Sequence, residues 1–166
     1  MIEIRAERPE DAAAIRTITT AAFEGAPHSS GTEAAIVDAL RAASALTVSL
    51  VAVQDGEVVG HIAFSPVLVS SKPMEWFGLG PVSVRPDRQG AGIGEALVRY
   101  GLSRLEAQGA EGCVVLGDPG YYGRFGFAAD RNLRYSDVPP EYFQILSFGA
   151  PPPKGEVAYH PGFDAH

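Results

Sequence analysis

Along this chain the spacing of apolar residues switches between two and nearly four, and each switch marks a boundary between strand and helix. Ile2, Ile4 and Ala6 alternate with charged residues, as in a strand with one buried face. Pro9, Glu10 and Asp11 then open a helix with acids at the positive end of its dipole, and Ile15, Ile18, Ala22 and Phe23 form its apolar stripe. A loop over 25–31 leads to a second amphipathic helix over 32–43, with Ile36, Val37 and Leu40 inward. Two β-rich runs, 46–54 and 58–70, are joined by Asp55 and Gly56, a strong hairpin signal. Another strand, over 75–84, contains Gly78, Gly80 and Pro81, which predicts a bulge or the close approach of another backbone.

Ile93, Leu97, Val98, Leu102 and Leu105 fall on one face of a further helix, which Gly109 ends. Residues 113–116 read as a short buried strand, and 127–130 and 143–148 as two more. The prolines at 151–153 form a stiff connector, after which 156–160 fit a final strand. This order of elements predicts a mixed α+β fold of the α/β class, with helices flanking a central sheet.

At 166 residues and 46% hydrophobic, the chain fits a single domain over 1–166 with a C-terminal extension from about 150. The first residues lack the apolar core of a signal peptide, and the longest apolar stretch, 46–53 broken by Thr47 and Ser49, is far short of the ~20 residues of a membrane span. A soluble cytoplasmic protein, monomeric or homodimeric, is expected. Cys113 is the only cysteine, so no internal disulfide forms, and its apolar neighbours predict a buried thiol. None of the four histidines has a second histidine or a cysteine at i+3 or i+4, and no metal is expected. The net charge of -7 argues against a nucleic-acid partner. It fits either a cationic ligand or simple solubility.

The chemistry is concentrated where the strand ending in Val82, Ser83 and Val84 runs through Arg88, Gln89, Gly90, Ala91 and Gly92 into the helix that begins with Ile93, Gly94 and Glu95. The first amides of such a helix have no intrahelical acceptor, and the glycines remove side chains that would keep an anion away. A P-loop would need a lysine after the glycines, and a dinucleotide fingerprint would need glycine at Glu95; both readings fail. What remains is Gln-x-x-Gly-x-Gly directly after a Val-x-Val-x-Pro strand end.

That motif resembles the acyl-CoA loop of the GCN5-related N-acetyltransferases, the GNAT superfamily. Residues 113–127, Cys-Val-Val-Leu-Gly-Asp-Pro-Gly-Tyr-Tyr-Gly-Arg-Phe-Gly-Phe, resemble the strand, short helix and Gly-Phe start that follow the CoA helix in that superfamily. The wording Leu-Gly-Asp-Pro-x-Tyr-Tyr, with Phe-Ser-Pro-Val at 64–67, Pro-Pro-Glu-Tyr-Phe at 139–143 and Tyr-His-Pro-Gly-Phe at 159–163, is similar to its narrower bacterial branch of YhbS-like acetyltransferases. The resemblance implies a GNAT-type acyl-CoA N-acyltransferase fold, a central twisted mixed sheet with splayed strands flanked by helices.

It implies acetyl-CoA as co-substrate, held by Val82, Ser83, Val84, Arg88, Gln89, Gly90, Ala91, Gly92, Ile93, Gly94, Glu95, Asp118 and Tyr122. The pantetheine arm would pair with the strand backbone at Val82 and Val84. Tyr122, four residues before Gly126, would be the general acid for the departing thiolate, and the Val82 amide would donate to the acetyl carbonyl. Tyr121 differs from Tyr122 by about 100° on a helix, so only one of the pair can face the thiol.

The sequence departs from the family in one place. Histone-type members carry a glutamate where this chain has Gly78, and Glu33, His28, Glu75 and His160 are the possible substitutes as base. Without a base, a lysine-type amine costs about 4 to 5 kcal/mol to deprotonate at pH 7 and an α-amino group only about 1. Phe23, Glu33 and Phe64, with Tyr142, are the expected acceptor-site residues. The implied activity is acetyl transfer from acetyl-CoA to a primary amine by direct attack in a ternary complex. The acceptor would be a small molecule or a protein amine (N-terminal or lysine); a non-catalytic acyl-CoA-binding module is the alternative.

Overall fold

The computed structural model describes residues 1–24 and 31–166. The 25–30 part of the expected loop, with the candidate base His28, lies outside the described residues. In chain order the elements are β1 (Ile2–Ala6), α1 (Ala12–Phe23), α2 (Glu33–Ala42), β2 (Val48–Gln54), β3 (Glu57–Val69), β4 (Lys72–Val84), α3 (Ile93–Ala107), β5 (Gly112–Leu116), α4 (Pro119–Tyr122), β6 (Leu133–Arg134), β7 (Phe143–Ser147) and β8 (Gly155–Tyr159). The sheet runs β1-β2-β3-β4-β5-β7, and in that path only β4 and β5 are parallel. Strand β8 extends it by pairing with the far end of β3, Val67 to Val69.

Side-chain alternation along β2 places helices on both faces. Val48, Leu50 and Ala52 join Leu97, Val98 and Leu105 of α3, whereas Val51 joins Ile15 of α1 and Val37 of α2. Asp55 and Gly56 both have positive φ, 53° and 79°, as a two-residue type I′ hairpin turn requires. Ser70 and Ser71 make the same kind of turn, at 50° and 66°. That second turn closes the β3–β4 hairpin tightly, with Val69 opposite Lys72, so β4 begins at Lys72 rather than at residue 75.

One sequence expectation fails. Residues 127–130 are not a strand: Ala128 makes one bridge to Ile145, after which the Asp130 carboxylate accepts from the amides of Asn132 and Leu133 at 2.7 and 3.2 Å and turns the chain. Phe64, expected in the acceptor site, lines neither of the cavities described below. Its ring is fully buried directly beneath Gly101 of α3, where a side chain on the glycine would collide with it.

Candidate active site

The expected irregularity in β4 is present. Ile62 faces Val82 and Phe64 faces Leu79, so β4 carries one residue more than β3 between these pairs, at Gly80 and Pro81. The parallel pairing with β5 ends at Gly78, which faces Val114, and beyond it the two strands part. The Arg85 amide donates to the Val59 carbonyl at 2.8 Å. By the alternation of an antiparallel ladder, Ser83 then points its backbone groups toward β3, while Val82 and Val84 point theirs away, into the gap. The side-chain amide of Gln89 donates to the Val84 carbonyl at 3.0 Å and ties the glycine turn to this strand end.

The turn opens into α3. Gly90 and Gly92 have φ of 81° and 85°, the left-handed region that glycine enters without strain, and the Cβ direction of each meets open space. The first intrahelical bond is from Ala96 to Gly92, so the amides of Ile93, Gly94 and Glu95 have no helical acceptor. These residues, with Val82, Val84, Arg88, Gln89, Tyr121 and Arg124, border a cavity of about 480 Å³. Two guanidiniums flank it. Arg88 donates to Gln54 at 2.9 Å, and Arg124 lies over the Tyr121 ring, 4.5 Å from its centroid, while donating to Glu95 at 3.1 Å. Arg124, then Arg99, hold the Glu95 carboxyl below its usual range, so that acid stays ionised at the cradle with its charge offset by the two arginines. Arg124 was missed in the sequence, although it lies inside the segment carrying the two tyrosines. Open glycine space and free helix amides suit a pyrophosphate, with the guanidiniums of Arg88 and Arg124 alongside, ion-paired to Asp87 and Glu95.

Not every expected residue reaches this cavity. Ser83 is buried with its hydroxyl donating to Thr19 at 3.2 Å, on the opposite side of β4. Ala91 is exposed outside it. Asp118 caps α4 by accepting from the Gly120 amide at 2.9 Å, and touches neither of the cavities described here.

A second cavity, of about 740 Å³, adjoins the first, and Phe23 and Val82 belong to both. Tyr122, Glu33, His160 and Tyr159 line it, but Tyr142 does not: it is 45% exposed and lies elsewhere. The Tyr122 ring packs against Gly117, where no side chain would fit, and burial pushes its phenol up to about 12. Tyr122 therefore keeps its proton at any working pH.

The place of the missing glutamate is filled. A Cβ on Gly78 would stand 2.6 Å from the Tyr159 ring, which β8 lays across this part of β4. The Tyr159 hydroxyl is buried without a hydrogen-bond partner among the described residues. Glu75 is exposed at the other end of β4 and does not line the cavity. Nδ1 of His160 accepts from the Gly162 amide at 2.9 Å, so in the neutral ring Nε2 carries the proton and is a donor.

His61 and Cys113 are buried titratable groups apart from both cavities. Ser49 donates to Glu7 and so accepts from Nε2 of His61 at 2.8 Å, while Nδ1 of His61 is buried without a partner among the described residues. Burial lowers the His61 pKa to about 4 despite the nearby Glu7 carboxylate. Burial likewise pushes the Cys113 thiol far up, which leaves it inert. Among the described residues no cluster could hold a metal ion, and no helix is long and apolar enough to cross a membrane.

Comparison with known proteins adds independent findings. The sequence profile of a family described as an acetyltransferase (GNAT) domain matches residues 3–129. An uncharacterized N-acetyltransferase of Escherichia coli strain K12, YhbS, is 42% identical over 134 residues, 79% of this chain and 77% of that protein. A GNAT family acetyltransferase from Brucella melitensis, solved in complex with acetyl-CoA, superposes with a TM-score of 0.90 at 57% identity over 99% of each chain. The crystal structure of Escherichia coli YhbS with CoA superposes at 0.88 and 36% identity, over 98% of this chain and 92% of that one.

Proposed function

Because the chain belongs to the GNAT acetyltransferase family, we propose that it transfers the acetyl group of acetyl-CoA to a primary amine of a small molecule, by direct attack within a ternary complex. The observation that carries this reading is the meeting of two cavities at Val82. On one side lies a phosphate cradle at the start of a helix, and on the other an aromatic cavity holding Tyr122. The volume of the second, about 740 Å³, falls within the range of small-molecule pockets.

Acetyl-CoA, when bound, supplies a thioester carbonyl open to attack by a neutral amine. The amides of Ile93, Gly94 and Glu95 hold the pyrophosphate, with Arg88 and Arg124 offsetting its charge. The Val82 amide, turned into the gap between β4 and β5, donates to the carbonyl oxygen as negative charge builds there. Tyr122 holds its proton toward the sulfur and donates it as the thiolate leaves. With Tyr159 filling the space beside Gly78, Glu33 is the described candidate that lines the cavity and could take a proton from the amine; His160 lines it too, but would first have to release its Nδ1 lone pair from the Gly162 amide.

The test is thiol release from acetyl-CoA across a panel of primary amines, with CoA binding followed in parallel by calorimetry. Release that depends on an amine supports the reading. Tight CoA binding without release for any amine would overturn it in favour of a binding module.

A further inference from the structure

The acceptor cavity is one-sided in charge. Four carboxylates line it, those of Glu33, Asp137, Glu156 and Asp164, and no lysine or arginine among the described residues does. Asp137, Glu156 and Asp164 come from three separate segments: the stretch after β6, strand β8, and the turn at 161–164. None of the three enters an ion pair with a described residue. They converge on Tyr135, whose phenol is pushed above its usual value by burial first and then by the fields of Asp137, Asp164 and Glu156. Three like charges around one cleft create a negative potential that a cation relieves.

The inner wall is different in kind. Tyr122 and Tyr159 present aromatic surface beside Phe23 and Leu79, and the Tyr159 hydroxyl is buried with no hydrogen-bond partner among the described residues. A buried hydroxyl without a partner is costly unless something brought into the site completes it. The cavity thus combines an aromatic inner section near Val82 with an anionic rim.

We propose that the acceptor is a diamine or longer polyamine: one amine enters past Tyr159 toward Val82, and a distal ammonium is held by Asp137, Glu156 and Asp164. The inference rests on the acetyl-transfer reading above. It fits the lack of an evident base, because a second positive charge on the same molecule lowers the pKa of the reacting amine.

The experiment compares kcat/KM for diaminobutane, spermidine and butylamine, with thiol release as readout, at low and high salt. The diamine should exceed butylamine by about tenfold or more at low salt, the scale of a few partly exposed charge contacts, and the advantage should shrink as salt rises. The variant carrying Asp137→Asn, Glu156→Gln and Asp164→Asn should bring the two within about threefold while its CoA affinity by calorimetry is unchanged. The amide at 156 keeps an acceptor for the Ser136 amide that Glu156 binds at 2.6 Å. If that variant does not fold, each single change should remove part of the preference. A ratio near one in the parent protein, or a preference that survives these substitutions, overturns the inference alone. Absence of release with every amine overturns the acetyl-transfer reading and this inference with it.

Discussion

The rings of Tyr121 and Tyr122 meet edge to face, 5.0 Å between centroids and 88° between planes, yet they line different cavities. One turn of helix places them. Asp118 caps α4, Gly117 leaves room for the Tyr122 ring, and Tyr121 swings beneath Arg124, with its hydroxyl near Gly94. On the acetyl-transfer reading, the two neighbours would therefore face different parts of acetyl-CoA and its acceptor.

Tyr122→Phe should bind acetyl-CoA normally and turn over at least ~100-fold more slowly, the scale for losing a positioned acid. The phenyl ring keeps the packing on Gly117, so stability should change little. Tyr121→Phe should alter turnover by only a few fold. Steady-state kinetics with calorimetric CoA binding separates the two, and a reversal of their effects would move the acid to Tyr121.

Gly94→Asp tests the cradle. Gly90 and Gly92 have positive φ, so substitution there strains the backbone; Gly94 is helical, and a Cβ on it meets only ordinary contacts, 3.6 Å from the Tyr121 hydroxyl. The protein should fold normally by circular dichroism. A carboxylate set beside the pyrophosphate should weaken CoA binding about 100-fold or more. Unchanged affinity would remove the cradle from the CoA site.

Much of this was legible because local rules and tertiary packing agree. Period-two runs, the Asp55-Gly56 turn and the glycine-rich start of α3 all carry their structure in short windows. The splayed β4 was foreshadowed by Gly78, Gly80 and Pro81. What escaped depends on contacts between distant segments. Nothing near Phe64 shows that Gly101 will settle on it, and nothing near Gly78 shows that Tyr159, about half the chain away, will cover it. The acidic rim was invisible for the same reason: Asp137, Glu156 and Asp164 share no window, and only the pairing of β8 with β3 and β6 gathers them.

His61 should make the protein acid-labile. Its pKa is about 4 in the fold and about 6.5 in the unfolded chain. Above pH 6.5 both states are neutral and stability is flat with respect to this group. As pH falls below 6.5 the unfolded chain takes up a proton that the fold refuses, so stability declines until about pH 4, where the fold protonates too. At about 1.4 kcal/mol per pH unit the full loss is about 3 kcal/mol. Urea unfolding between pH 7 and about 5.5, above the range where the unfolded-chain carboxylates of Asp11 and Glu7 begin to protonate, should show the onset of this slope, and His61→Gln should flatten it. A slope retained in the variant would assign it to another group.

The pH dependence of catalysis joins the acid to the missing base. With its phenol pushed up to about 12, Tyr122 stays protonated across the assay range, so it causes no alkaline fall in kcat/KM below about pH 11. If no side chain takes the ammonium proton, the rising limb belongs to the acceptor and levels near its own pKa, about 8 for an α-amino group and about 10 for an alkylamine. Changing the acceptor should then move the limb, and a diamine should level below the matching monoamine because its second charge opposes the first. A limb fixed at pH 6 to 7 for every acceptor would instead reveal a side-chain base. Glu33→Gln and His160→Ala, measured one at a time, would show which of the two abolishes it.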